Sequence, residues 1–278
     1  MRVDAPRQPI LLFRFHTDPE VARERLRLIR HFDPDLRRYV LFSGDRAHAD
    51  AAHAATAGLA DGFWCFDDER RDRQWLWRHG DLVLKAWHRA VGKYLEFDHL
   101  YYHEYDLLVA ASMRSAFAPA AESAVHVGAL RELTPDIYDY CHWTSGRERT
   151  NFHRFEERMH RRFGTARQKY VCIAPGMRLP KAFLDAYGDE EDIEFVNDEV
   201  RIPAYAEALG FTLTAHLMNP GFGDVGSELR YFNCGNDGHP DMSDVVDVLT
   251  SRTDRRWFHP VKYLVTLEDL PESVRESR

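Results

Sequence analysis

The sequence predicts an α/β protein, a mainly parallel sheet with helices packed on both faces. Three observations carry this. The N-terminal third alternates short apolar runs with helical patterns, in the order strand, helix, strand, helix, strand. The runs Ile10-Leu11-Leu12-Phe13 and Tyr39-Val40-Leu41-Phe42 are continuously apolar, as strands covered on both faces require. Each run gives way to turn residues, His16-Thr17-Asp18-Pro19 and Ser43-Gly44-Asp45, where the chain can leave the sheet.

Taken in order, the first strand covers 9–15 and stops before Asp18, a good helix N-cap, and Pro19, which suits the first helical position. The helix from 19 to about 31 carries Val21, Arg25, Leu28 and Phe32 at helical spacing, and Phe32-Asp33-Pro34-Asp35 breaks it. After the strand 39–42 comes an alanine-rich helix near 47–58 and a third strand at 62–66. Residues 67–77, dense in charge and tryptophan, read as an irregular loop. Asp81 is placed to cap a helix to about 95, with Leu84, Trp87, Val91 and Leu95 on its buried stripe.

That helix feeds a strand over 97–109 with Glu104 and Asp106 one residue apart. On a strand, side chains at i and i+2 point the same way, so both carboxylates face one side. Such like charges repel unless a cation neutralises them. Mg²⁺ is commonly held by one or two carboxylates together with substrate phosphates. The pair therefore suggests a metal–diphosphate site; the plain alternative is two acids pointing into solvent. Ligands of such sheets gather at the carboxyl ends of strands, where His16 and Asp45 also fall.

The C-terminal half is less regular. Expected elements are a short strand at 125–127, a helix over 151–163, a strand over 169–174, helices at 179–187 and from Asn197 or Asp198 to 209, and a strand at 211–217. The 151–163 helix turns Phe152, Phe155, Met159 and Phe163 inward and Arg154, Arg158, Arg161 and Arg162 outward. That basic face can meet water, phosphate or an anionic surface. Gly221, Gly223 and Gly226 form a loop but no phosphate-binding motif, since no Gly-Lys-Ser/Thr follows.

Composition sets the bounds. The chain has 278 residues, 44% hydrophobic and 29% charged, ordinary for a globular protein. No repeat or linker divides it, so one domain over 1–278 is expected, with halves at about 8–112 and 113–270. A net charge of −8 argues against a nucleic-acid partner. Cys65, Cys141, Cys172 and Cys234 form no Cys-x-x-Cys pair, and reduced thiols are expected. No apolar run approaches the roughly 20 residues of a transmembrane helix, and the N-terminus lacks a signal-peptide pattern, so a cytoplasmic protein is expected.

With these elements in place the sequence resembles a GT-A type glycosyltransferase. The likeness rests on the helix leading into His103-Glu104-Tyr105-Asp106, a Glu-x-Asp variant of the family's Asp-x-Asp motif, on Asn197-Asp198-Glu199 opening a later helix, and on His259-Pro260-Val261-Lys262. It implies a GT-A-like, Rossmann-like fold whose N-terminal half binds a nucleotide-diphosphate sugar and whose C-terminal half takes an acceptor (a glycan, small molecule or peptide). By this resemblance Asp106 binds Mn²⁺ or Mg²⁺, Glu104 assists at the metal or the donor ribose, and His259 completes the shell. A nitrogen ligand favours Mn²⁺. Glu199, 93 residues after Asp106, or Asp198 beside it, is the implied general base of an inverting transfer; both acids also suit a helix's first turn without any catalytic duty. His16, Thr17 and Asp18 fall where the nucleotide lies in this fold, and Lys85 is placed to reach a phosphate or base.

Trp75, Trp77 and Trp143 can stack on a sugar or serve in the core. Competing functions are nucleotidyl transfer or phosphohydrolysis at the same acids, and a glycosyltransferase-like binding protein without turnover. The stretch Arg14-Phe15-His16-Thr17-Asp18 lacks the glycines of a nucleotidyltransferase loop, which counts against nucleotidyl transfer.

Overall fold

The computed structural model describes residues 8–68, 70–117, 123–164, 169–215, 230–231, 239–251 and 255–277. Four parallel neighbours form one end of its main sheet: β1 (Ile10–Phe15), β2 (Arg37–Phe42), β3 (Gly62–Cys65) and β4 (His99–Glu104). The remaining strands are β5 (Leu108–Val109), β6 (Val125–Val127), β7 (Ala129–Glu132), β8 (Tyr170–Ile173), β9 (Met177–Pro180), β10 (Leu213–Ala215) and β11 (Trp257–Phe258). Among the described residues the main sheet has seven strands in the order β10-β6-β9-β4-β1-β2-β3. β9 runs antiparallel to both β4 and β6, and β10 is parallel to β6, so the sheet is mainly parallel with one reversed strand inside it. Two antiparallel ribbons, β5–β11 and β7–β8, complete the strands.

Among the described residues the α-helices are α1 (Pro19–Phe32), α2 (Ala49–Thr56), α3 (Arg73–Arg78), α4 (Gly80–Ala90), α5 (Met113–Ala116), α6 (Pro135–Tyr140), α7 (Arg149–Phe163), α8 (Lys181–Asp189), α9 (Asp198–Ala208), α10 (Met242–Ser251) and α11 (Glu272–Arg275). Strand periodicity divides the core between the two faces of the sheet. Leu11, Phe13 and Phe15 of β1 pack with Val21, Leu26 and Ile29 of α1. Ile10 and Leu12 join Val83, Leu84 and Trp87 of α4, Phe183 and Tyr187 of α8, and Phe152 and Phe155 of α7. Arg14 has the same parity as Ile10 and Leu12, so it emerges on the α4 face. No helix among the described residues is long and apolar enough to cross a membrane. Cys65, Cys141 and Cys172 are free thiols; Cys234 and the 221–226 glycine loop lie outside the described residues.

The predicted α/β order of the N-terminal half is present, with corrections of detail. The 67–77 loop contains α3, whose N-cap Asp72 accepts from Trp75 N at 2.7 Å. Asp81 does not cap α4; it lies in the first turn, buried, against Arg201. The expected helix at 179–187 begins at Lys181, because Met177–Pro180 is the reversed strand β9. The strand expected over 97–109 ends at Glu104: Leu107 N–H bonds back to Glu104 O at 3.0 Å, turning the chain before β5. Glu104 and Asp106 therefore do not share a strand face. Two arginines of α7 meet the acidic loop beside them, Arg162 pairing with Glu190 at 3.0 Å and Arg158 with Glu191.

Candidate active site

A cavity of about 1250 Å³ opens where β1, β2 and β4 end, the carboxyl edge at which ligands of such sheets bind. His16, Thr17 and Asp18 line it after β1, Ser43 and Asp45 after β2, and Glu104 and Asp106 after β4. The first turn of α9 and the segment from His259 to Lys262 form further walls.

Arg14 organises the floor. It is buried, and its guanidinium spends every arm: Nη1 donates to Glu104 Oε1 at 2.7 Å and Tyr102 Oη at 3.4 Å, Nε to Ser43 Oγ at 3.1 Å, and Nη2 to Leu76 O at 2.6 Å. Burial disfavours the charge, but Tyr102 and Glu104 outweigh it and keep Arg14 firmly protonated. Tyr102 also donates to Glu104 Oε1 at 3.2 Å. Gly80 permits this crowding: a Cβ there would lie 2.5 Å from Arg14 Nη1 and 2.9 Å from Asp198 Oδ2.

Asp106 sits in the turn after β4. Its carbonyl accepts Val261 N–H at 2.6 Å, tying the turn to the C-terminal segment. Its Oδ1 is buried without a hydrogen-bond partner, and lies 3.6 Å from His259 Nε2. That separation is too long for a hydrogen bond and short enough for both atoms to reach one cation. Burial raises the Asp106 carboxyl, but His259, Lys262 and His16 pull it down to about 2, so it is ionised at neutral pH. Buried Arg25 of α1 steadies the segment opposite, donating from Nη2 to Val261 O at 3.0 Å and Tyr263 O at 3.3 Å, on either side of Lys262.

Asp106 and His259 thus fit a metal. Glu104 fits less well as a ligand, since Arg14 and Tyr102 already occupy its Oε1. Among the described residues no three His, Cys, Asp or Glu side chains gather closely enough to hold an ion alone. Substrate oxygens would have to complete the shell, as is usual for phosphate-bound Mg²⁺.

The two acids opening α9 have different surroundings. Asp198 is buried, and its Oδ1 accepts Glu199 N–H at 2.9 Å. Burial, with Asp81, Glu199 and Glu104 adding to it, pushes its carboxyl well up and favours the neutral acid. Glu199 is half-buried, and Oε2 accepts Trp143 Nε1–H at 2.5 Å and Asn197 Nδ2–H at 3.3 Å. Burial raises the Glu199 carboxyl too, while those two donors restrain the rise. Beneath them Arg201 holds Asp81 through Nη2–Oδ1 at 2.5 Å and Nε–Oδ2 at 2.8 Å, with both side chains fully buried.

At the β1 exit, Asp18 occupies the N-cap position of α1 with left-handed backbone, φ 50 and ψ 66, and its side chain makes no cap bond. A non-glycine residue in that region is uncommon, and here it borders the cavity. His16 is depressed to about 4 by burial and then by Arg14, with Arg73 and Lys262 contributing, so it is neutral at pH 7 in a positive field. Lys85 is a correction. It lies away from the cavity, its Nζ held by Asp192 at 2.8 Å and Glu190 O at 3.0 Å over the Tyr187 ring. A lysine on the buried stripe of α4 reaches the 190–192 loop instead of the strand ends. Trp77 and Trp143 line the cavity; Trp75 instead stacks on Phe66 and donates to Glu194 Oε2 at 2.9 Å.

The anchoring role of Arg14, the charge Lys262 brings to the cavity and the Trp143–Glu199 bond were not read from sequence. One signal for Arg14 was available: a lone charge inside Ile-Leu-Leu-Phe-Arg-Phe, a run otherwise fit for complete burial.

No family model matches the chain, and no curated protein matches it. Solved structures that match include the apo structure of WbbM, a bifunctional glycosyltransferase, at 10% identity and a TM-score of 0.44, over 100% of this chain and 51% of that one. This chain therefore spans about half the length of that protein. Mouse xyloside xylosyltransferase 1, apo form, matches at 12% identity and a TM-score of 0.38, over 76% of this chain and 85% of that one. The inositol-1-phosphate CTP transferase from T. maritima matches at 10% identity and a TM-score of 0.44, over the same shares of 76% and 85%. At such identities and scores these neighbours assign no activity to this chain.

Proposed function

We propose that this chain is a metal-dependent glycosyltransferase that moves a sugar from a nucleotide-diphosphate donor to an acceptor hydroxyl. The observation that carries the reading is the pairing of Asp106 with His259 across one wall of the cavity, with Glu199 on another wall of the same space. Asp106 and His259 would hold Mn²⁺ or Mg²⁺, and an imidazole ligand favours Mn²⁺. When bound, the ion neutralises charge on the leaving diphosphate as the glycosidic bond breaks. Lys262 and the positive field at His16 face the same anion.

Glu104 is held by Arg14 and belongs to the donor side as an acceptor of hydrogen bonds, the role its ion pair leaves open. His16, Thr17 and Asp18 border the donor space. Glu199 takes the proton of the acceptor hydroxyl as that oxygen attacks the anomeric carbon, which inverts configuration. Its partial exposure and raised carboxyl suit a base better than Asp198, whose burial keeps it neutral.

The test is thermal-shift titration with UDP-, GDP- and dTDP-sugars, with and without Mn²⁺. Metal-dependent stabilisation by a nucleotide sugar, abolished in Asp106→Ala, is expected. Absence of a shift with every donor in the presence of metal refutes the reading. Glu199→Gln should keep the shift and lose transfer.

A further inference from the structure

Trp77 is 59% exposed, an unusual state for the largest apolar side chain, and it stands in the cavity wall rather than on a convex surface. Its neighbour Trp143 also lines the cavity, with ring centroids 5.5 Å apart and planes tilted by 49°. The two indoles therefore meet at an angle and do not cover one another's faces. Both are held. The Arg78 guanidinium lies 5.6 Å over the Trp143 ring, and Glu148 clamps that guanidinium with bonds of 3.1 and 2.8 Å. The Trp143 Nε1–H is committed to Glu199, and His142 packs edge-on at 4.6 Å. Arg14 anchors the chain just before Trp77 through Leu76 O.

We propose that Trp77 and Trp143 form a stacking ledge for a pyranose ring of the acceptor, so that the acceptor is a glycan whose hydroxyl is delivered to Glu199. This rests on the sugar-transfer reading above and names its second substrate. A pyranose has an apolar face of C–H groups and a rim of hydroxyls. The indole face suits the first, and Glu199 and His142 beside it suit the second. Trp143 is bonded to Glu199 by its own N–H, so a ring seated on the ledge brings its rim to that carboxylate. A lipid chain would meet a cavity lined with charge. A second ligand also has room: 1250 Å³ exceeds the roughly 300–1,000 Å³ of pockets that enclose one drug-sized molecule. Trp143 is already held by Arg78 and Glu199, which limits the ordering cost of weak stacking contacts on that half of the ledge.

The experiment is saturation-transfer NMR on the full chain with methyl β-glucoside, methyl β-galactoside, methyl α-mannoside and methyl N-acetyl-β-glucosaminide, alongside the peptide Gly-Tyr-Gly. At least one pyranoside should receive saturation at its ring C–H protons, with binding about tenfold weaker in Trp77→Ala and largely retained in Trp77→Phe. Equal pyranoside binding in wild type and Trp77→Ala, no signal from any pyranoside, or saturation confined to the peptide overturns the proposal. The Mn²⁺-dependent shift with nucleotide sugars, measured on the same Trp77→Ala protein, should be unchanged. Its absence from the wild type would sink the transfer reading itself, a separate failure.

Discussion

Arg14 reaches from β1 to Glu104 at the end of β4, Nη1 to Oε1 at 2.7 Å, and fixes that carboxylate from the core side. The same guanidinium holds Ser43 after β2 and Leu76 before Trp77, so one buried cation ties three cavity walls together.

Arg14→Lys keeps the charge and loses the fork, because an ammonium cannot reproduce several planar donors at once. Leaving Ser43 and Leu76 O without their partner should lower stability by about 1–3 kcal/mol. Freed from its anchor, Glu104 should bind donor about tenfold more weakly, roughly 1.4 kcal/mol. Urea unfolding and nucleotide-sugar titration measure the two effects; unchanged donor affinity would detach Glu104 from the donor.

His259→Gln should leave the fold intact and raise the Mn²⁺ concentration needed for donor-dependent stabilisation. The expected change is roughly tenfold or more, a size already reached when a mere outer-shell partner is lost. A metal titration unaffected by the substitution would leave Asp106 without its second ligand.

Glu199 must be ionised to accept a proton, and burial raises its carboxyl. The acidic limb of kcat/KM should therefore lie above the usual carboxylate value of about 4.3, with activity falling as pH drops through it. Trp143→Phe removes a donor to the ionised form and should move that limb to higher pH. An unmoved limb in Trp143→Phe would show that Glu199 does not govern it.

Asp81→Asn should destabilise the protein by about 3–5 kcal/mol, since it strips a fully buried Arg201 of its counter-charge. Burial raises the Asp81 carboxyl, but Arg201 overcomes this and holds it below its ordinary value. Its stabilising contribution is therefore complete above the unfolded value of about 3.9 and is lost as pH falls through the lower folded one. Unfolding midpoints of the two proteins across pH 3–7 check both size and sign, and a gap that stays constant throughout would contradict the linkage.

The N-terminal strands were legible because burial on both faces writes itself as uninterrupted apolar runs, and Asp18-Pro19 marked where α1 starts. β9 was not, because Met-Arg-Leu-Pro is too short and too mixed to announce a strand, and its place between β4 and β6 is decided by tertiary pairing. His16, Thr17, Asp18, Asp45 and Asp106 were found because they sit in turns soon after strands, where topology dictates the location. Lys85 was misplaced because helical spacing gives a face but not what packs against it. Arg14, from within β1, was missed for the converse reason: its importance lies in partners 29 to 90 residues away.

The reversed strand also sets an order on assembly. Until Met177–Pro180 arrives, β4 has β1 on one side and an open edge on the other, a template for unwanted pairing. Residues far along the chain must then close that edge and dock Val261 on Asp106. A fragment ending soon after β4 would hold Glu104 and Asp106 yet present a sticky, unfinished sheet. The protein should therefore fold by late, long-range closure, with chaperone dependence greatest while this border is bare.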